Sequence, residues 1–268
     1  METLIEDKID TISIDDILKT EPQLETNNGI DVSVIILLVN NEKFKTSEKS
    51  YNLEIYGKKM WEWVALATTG FPMKKVECIK DNDIISLIRP LLTKTKYTAV
   101  FYSDTPLLKR KTFLEIMDYV RVRDINVCKL TRGFIFNTEF IKNNDKIYSI
   151  MSQVFDEEDF ITAFDMRQLT LINDVFKSRI CAFHEQNGVQ IIDVNSCYIE
   201  ADVIIEPNVI IYPNNSLIGK TYIGKNVVLK PNNVIENSII NENCKIISSV
   251  IRNTKIQANS NIGPFEKR

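Results

Sequence analysis

The chain has 268 residues, 44% of them hydrophobic and 26% charged, with 33 Lys and Arg against 36 Asp and Glu for a formal net charge of -3. That composition describes a soluble globular protein with room for two domains, and the lack of a basic field argues against a nucleic-acid partner. No apolar run approaches the roughly 20 residues that cross a bilayer, and the acidic start Met1-Glu2-Thr3-Leu4 does not read as a signal peptide, so a cytoplasmic protein without membrane contact is expected.

Residues 1–30 form an acidic N-terminal extension in which Ser13-Ile14-Asp15-Asp16-Ile17-Leu18 reads as a capped helical turn. A frayed end or a strap on the domain surface explains it better than a partner-binding arm. From residue 31 the pattern alternates between strand and helix. Residues 32–39 are a near-continuous aliphatic run of the kind a strand needs when both its faces are buried. Residues 60–69, 83–92 and 111–122 read as helices, and residues 74–79, 97–102, 127–130 and 134–136 as strands. The series predicts a mostly parallel sheet with helices on both faces, an α/β domain spanning residues 31–188. A long helix over residues 166–187 should end at Gly188, a C-cap glycine.

Ligands on such sheets bind beyond the carboxyl ends of the strands, which draws attention to the residues after Val39 and Tyr102. Ser103-Asp104-Thr105-Pro106-Leu107 places a carboxylate at a strand end, where it could ligate magnesium or simply form a turn and helix start. The five cysteines, at positions 78, 128, 181, 197 and 244, have no C-x-x-C spacing and read as reduced core thiols with no zinc or disulfide implied. The single histidine, His184, lies late in a helical pattern and reads as a surface or capping residue, not a catalytic one.

Residues 189–268 are organised differently. Aliphatic residues stand at Ile199, Ile205, Ile211, Leu217, Ile223, Leu229 and Ile235, six apart, and continue with small slips through Ile240, Ile246, Ile251, Ile256 and Ile262. That period, with Asn and Pro between, predicts a short left-handed parallel β-helix of hexapeptide repeats, whereas sandwich strands would alternate every second residue. Its turns are rich in Asn, the commonest residue besides Gly that tolerates positive φ.

Val189-Gln-Ile-Ile-Asp193, Tyr198-Ile-Glu-Ala-Asp202, Val209-Ile-Ile-Tyr-Pro213 and Asn261-Ile-Gly-Pro-Phe265 resemble the bacterial bifunctional N-acetylglucosamine-1-phosphate uridylyltransferase/glucosamine-1-phosphate acetyltransferase family. Val34-Ile-Ile-Leu-Leu38, Gly57-Lys58-Lys59-Met60, Phe101-Tyr-Ser-Asp-Thr-Pro-Leu107 and residues 165–169 fall in that family's order. The resemblance implies a Rossmann-like sugar nucleotidyltransferase-type domain followed by the β-helix. It also implies in-line attack of a sugar phosphate on the α-phosphate of UTP, a reaction governed by positioning and charge neutralisation.

The chain departs from that pattern in several places. The phosphate loop of the family carries two glycines, a threonine and an arginine, then a lysine. Counted back from Gly57-Lys58, those positions fall on Val39, Asn40, Asn41, Glu42 and Lys43, with Ser50 in place of the lysine. Asn40, Asn41, Lys43 and Lys49 are therefore the candidates for binding a nucleotide or sugar phosphate. Asp104 matches the family's magnesium aspartate, and the second metal position falls on Phe164 or Asp165, so a magnesium pair is implied only with Asp165. The uracil-reading segments between residues 80 and 97, and the sugar-contacting segments between 120 and 133, are missing. The β-helix ends before the coils that carry the acetyl-transfer residues, so no acetyl transfer is expected.

No catalytic residue is assigned. The expectation is a degenerate UDP-N-acetylglucosamine pyrophosphorylase-like pseudoenzyme serving as a binding or scaffolding subunit. An active sugar-1-phosphate nucleotidyltransferase of altered substrate and a purely structural trimer are the alternatives. A homotrimer is expected from the resemblance, with the outward aliphatics Ile210, Ile218, Ile239 and Val250 needing cover and the tail after Pro264 capping the last coil.

Overall fold

The run VSVIILLV forms strand β1 (Val32–Val39), whose first six residues are buried. The computed structural model describes residues 31–79, 83–144 and 151–268; the N-terminal extension, with the turn expected at residues 13–18, lies outside them. The described residues divide between Ile172 and Asn173 into two compact units.

In the first unit β1 lies between β2 (Met73–Cys78) and β3 (Tyr97–Tyr102), parallel to both. Strands β4 (Val127–Leu130), β5 (Gly133–Asn137) and β6 (Met151–Ser152) complete a six-stranded sheet in the order β2-β1-β3-β5-β4-β6. The alternate residues of β1 face opposite layers. Val32, Val34 and Ile36 pack with residues of helices α1 (Met60–Ala67) and α3 (Arg110–Arg123), among them Val64, Phe113, Ile116 and Val120. Ile35 and Leu37 pack with Ile85 and Ile88 of α2 (Ile84–Ile88) and Ile141 of α4 (Thr138–Asn143). Burial on both faces is why this strand carries no polar alternation.

The sheet is less parallel than the strand and helix series suggested. β5 runs antiparallel to both β3 and β4, because only Thr131 and Arg132 join β4 to β5 and a parallel crossover needs a dozen residues or more. Gly133 makes the junction possible. Its φ is +149°, and a β-carbon there would lie 2.7 Å from the Val100 carbonyl oxygen of β3. The N-terminus of α3 lacks a side-chain cap of its own. The fully buried Asp159 supplies one from a distance, accepting hydrogen bonds from the Lys109 amide (3.1 Å) and the Thr112 hydroxyl (2.5 Å).

Helix α5 (Met166–Gln186) ends as predicted at Gly188, whose φ is +85° and whose amide donates to the Glu185 carbonyl (3.0 Å). His184 differs from expectation. It is buried, not a surface or capping side chain, and neither ring nitrogen has a hydrogen-bond partner. Desolvation pushes its pKa down to about 4, so the ring is neutral at pH 7. Among the described residues no helix is long and apolar enough to cross a membrane.

The second unit holds most of α5 and the β-helix. Short parallel strands stack into three sheets: one holding Tyr198–Ile199, Ser216–Ile218, Val234–Glu236 and Val250–Arg252; one holding Ile204–Ile205, Tyr222–Ile223, Ile239–Ile240 and Lys255–Ile256; and one running from Gln190–Ile191 to Asn261–Ile262. Each of the twelve aliphatics read from the period, from Ile199 to Ile262, is buried, and Ile211, Leu217, Ile223, Leu229, Ile235, Ile240, Ile246 and Ile251 are wholly so. A fully buried aliphatic side chain contributes about 1.5–3 kcal/mol, which makes this row the main source of the unit's stability. The corners carry asparagine at positive φ at positions 208, 214, 226, 232, 237, 243, 253 and 259.

The outward aliphatics are less bare than the sequence suggested. Ile210, Ile218 and Val250 are half-buried and Ile239 is buried. Around Val250 the reason is the tail: its amide donates to the Glu266 carbonyl and its carbonyl accepts from the Arg268 amide, so residues 266–268 continue the stack. Phe265 itself is exposed.

Candidate ligand site at the strand ends

The loop after β1 closes on itself through side chains. The Ser50 hydroxyl, in the position where the family resemblance puts a lysine, donates to the Val39 carbonyl (3.2 Å) and accepts from the Asn41 amide (2.8 Å). Asn40 Oδ1 accepts from the Ser50 amide (2.9 Å), and Asn41 Oδ1 from the Lys43 amide (3.1 Å). The Val39 amide donates to Ser103 Oγ at the end of β3 (3.0 Å). A phosphate cradle works by presenting unbonded amides to an anion. Here the amides of Val39, Asn41 and Lys43 already have internal acceptors, and Ser50 and Ser103 are buried in the roles that hold them.

The sequence candidates fall into three groups. Asn40 and Asn41 belong to this closed loop. Lys43 is exposed, its ammonium 5.3 Å from the Phe164 ring centre, and the Ala163 amide donates to the Asp104 carbonyl (2.7 Å), so residues 163–165 lie beside the end of β3. Asp165 caps α5, with Oδ1 accepting from the Gln168 amide (2.8 Å). Lys49 is turned to the end of β2, where its ammonium pairs with Glu77 (2.5 Å) beside the Tyr51 hydroxyl (2.6 Å from the same oxygen). The bonds from Lys49 and Tyr51 hold the Glu77 carboxyl below its ordinary pKa, and the bond to Glu77 raises that of Lys49.

Asp104 meets a residue that the sequence did not single out. Arg132 grips both its oxygens, Nε to Oδ1 at 3.1 Å and Nη2 to Oδ2 at 2.6 Å, and the carboxylate is almost wholly buried. The guanidinium also lies over the Tyr102 ring, 4.0 Å from its centre. Burial lowers the Arg132 pKa, but the bonds to Asp104 outweigh it and the net shift is upward. Burial raises the nearby Cys78 thiol, with Arg132 lowering it and Asp104 raising it by smaller amounts. The arrangement follows from the sheet: Phe101 pairs with Gly133, so Arg132, one step earlier in the antiparallel neighbour, stands over the end of β3. No local pattern marks this arginine, because its partner is 28 residues away in the sequence.

These residues do not fit the magnesium pair expected at Asp104 and Asp165. Both Asp104 oxygens are committed to Arg132, and Asp165 is used as a helix cap. A cation added near 4 Å from the guanidinium meets a repulsion of about 4 kcal/mol per unit of charge at an effective dielectric of 20. Among the described residues no group of three or more His, Cys, Asp and Glu side chains could hold a metal ion.

No family model matches the chain. It is similar to the bifunctional protein GlmU of Clostridium acetobutylicum, 45% identical over 98 residues, or 37% of this chain and 22% of the relative. GlmU of Clostridium botulinum is 39% identical over 118 residues, 44% of this chain and 26% of the relative, and GlmU of Caldanaerobacter subterraneus is 36% identical over 128 residues, 47% and 27%. The chain is thus similar to GlmU proteins over part of its length. The aligned stretches span about a quarter of the GlmU relatives. The sheet unit followed by a β-helix is the architecture that the GlmU resemblance implied.

Proposed function

We propose that this chain is a degenerate, UDP-N-acetylglucosamine pyrophosphorylase-like member of the GlmU family whose first unit binds a nucleotide or sugar phosphate without transferring it, and that it acts as a binding or scaffolding subunit in the cytoplasm. The observation that carries this reading is the closed loop after β1, whose Val39, Asn41 and Lys43 amides are bonded to Ser103, Ser50 and Asn41 side chains. Phosphoryl transfer depends on donors aimed at charge that develops in the transition state, and removing one such donor costs about 10²–10³ in rate. A loop that spends its amides on its own side chains has few left for that task. Lys43, Lys45 and Lys49 are the cations of the loop with which a bound phosphate would interact, Lys49 only by leaving Glu77.

A second reading keeps a live nucleotidyltransferase of altered substrate. It is favoured by Lys43, an exposed ammonium beside Phe164 near the end of β3, where a transferring phosphate could be met. Pyrophosphate release with a panel of nucleoside triphosphates and sugar 1-phosphates separates the two. Background release with every pair, together with saturable binding of a nucleotide or sugar phosphate weakened by Lys43→Ala, is the expected result. Robust turnover with any pair would establish the second reading. Absence of both turnover and binding would leave the purely structural role.

A further inference from the structure

In the first unit, one cationic group already occupies the space in front of the β3 carboxylate. Arg132 bonds both oxygens of Asp104 in a fork, the Asp104 side chain is 6% exposed, and the guanidinium is backed by the Tyr102 ring. A flexible surface pair would exchange such a contact for water or a metal. This one is held by two parallel bonds and a face-on ring, and the backbone that carries Arg132 is fixed by the Gly133 junction, where no side chain fits. We propose that Arg132 takes the place of the divalent cation implied by the GlmU resemblance, so that the strand-end site of this chain is built to work without metal.

The consequence is one of charge. A divalent cation on Asp104 leaves a net positive charge for phosphate to meet, whereas the Arg132–Asp104 pair is neutral. An anion at the strand ends is then attracted by Lys43 and by the Nη1 edge of Arg132, which the pair with Asp104 does not use. Its binding is insensitive to chelators. The inference rests on reading the strand ends as the ligand site. It does not depend on whether transfer occurs, so the test below can fail while the pyrophosphate assay succeeds, and the reverse.

The experiment is calorimetric titration of Mn²⁺ into the full chain, with proton relaxation of the bulk water as a second readout. Wild type and Asp104→Asn should give the same small, unsaturable signal. Arg132→Met keeps much of the side-chain volume and removes the charge. It should raise Mn²⁺ affinity by about tenfold or more, since the repelling charge is gone, and adding Asp104→Asn should abolish the gain. A saturable Mn²⁺ site in the wild type that Asp104→Asn removes would overturn the proposal. So would an Arg132→Met protein that folds and gains no site, because Arg132 would then not be what occupies the cation's place. Should Arg132→Met not fold, the comparison of wild type with Asp104→Asn decides alone.

Discussion

Ser50 shows how much of a loop's internal bonding one side chain can carry. Its hydroxyl serves the Val39 carbonyl and the Asn41 amide at once and is 3% exposed, so Ser50→Ala leaves two backbone groups short of a partner. A loss of about 1–3 kcal/mol is expected, read as a lower urea midpoint with unchanged slope. His184 carries the opposite tension. A neutral imidazole always has one N–H, and here that donor is buried with no acceptor. His184→Leu should therefore stabilise the protein by about 1 kcal/mol at pH 7, provided the ring's volume is refilled. The pH dependence follows from a folded pKa of about 4 against an ordinary 6.5: the unfolded chain takes up the proton first. Above pH 6.5 the ring is neutral in both states and its protonation costs the fold nothing; as pH drops toward 4 the penalty grows and stability falls by about 1.4 kcal/mol per unit across that window. Parallel melts of wild type and His184→Leu between pH 7 and 4 should diverge in this sense, and identical slopes would show that the ring finds solvent.

At the scale of the element, the β-helix holds its coils together with side-chain amides inside the corners as well as with aliphatics. Asn233 is fully buried, and its Nδ2 donates to the Lys230 carbonyl (2.5 Å) and to Asn215 Oδ1 (2.8 Å) while its Oδ1 accepts from the Ser249 amide (3.0 Å). Asn215 repeats the pattern one coil earlier, donating to the carbonyls of Tyr212 and Lys230. The ladder satisfies corner groups that water does not reach. Asn233→Leu keeps the branched heavy-atom shape and abandons all of these bonds, so a loss of about 3 kcal/mol or more is expected, seen as an early thermal transition of the second unit. A melting curve like that of the wild type would mean that the corner admits water.

For the whole molecule, the outward positions of the coil bear on assembly. Ile210, Ile218 and Val250 are half-buried within one chain, a smaller apolar surface than the sequence suggested, yet Tyr198 and Ile192 add to it as exposed hydrophobics. A homotrimer formed through the β-helix would cover such positions. Light scattering at micromolar concentration should then give three times the 30.9 kDa chain mass, and a mass of one chain would count against it.

The six-residue aliphatic period specified the β-helix, its core residues and its asparagine corners, and the eight-residue run specified the central strand. These features are legible because each residue's type answers to its own surroundings, and a regular structure repeats those surroundings at a fixed interval. Strand order and side-chain partnership are not written that way. The antiparallel turn at Gly133, the grip of Arg132 on Asp104, the capping of α3 by Asp159 and the closure of the β1 loop by Ser50 and Ser103 join residues separated by up to 64 positions. Only the folded sheet decided whether Asp104 faced a metal or a guanidinium, because the answer lay in which neighbour the antiparallel register set across from the end of β3.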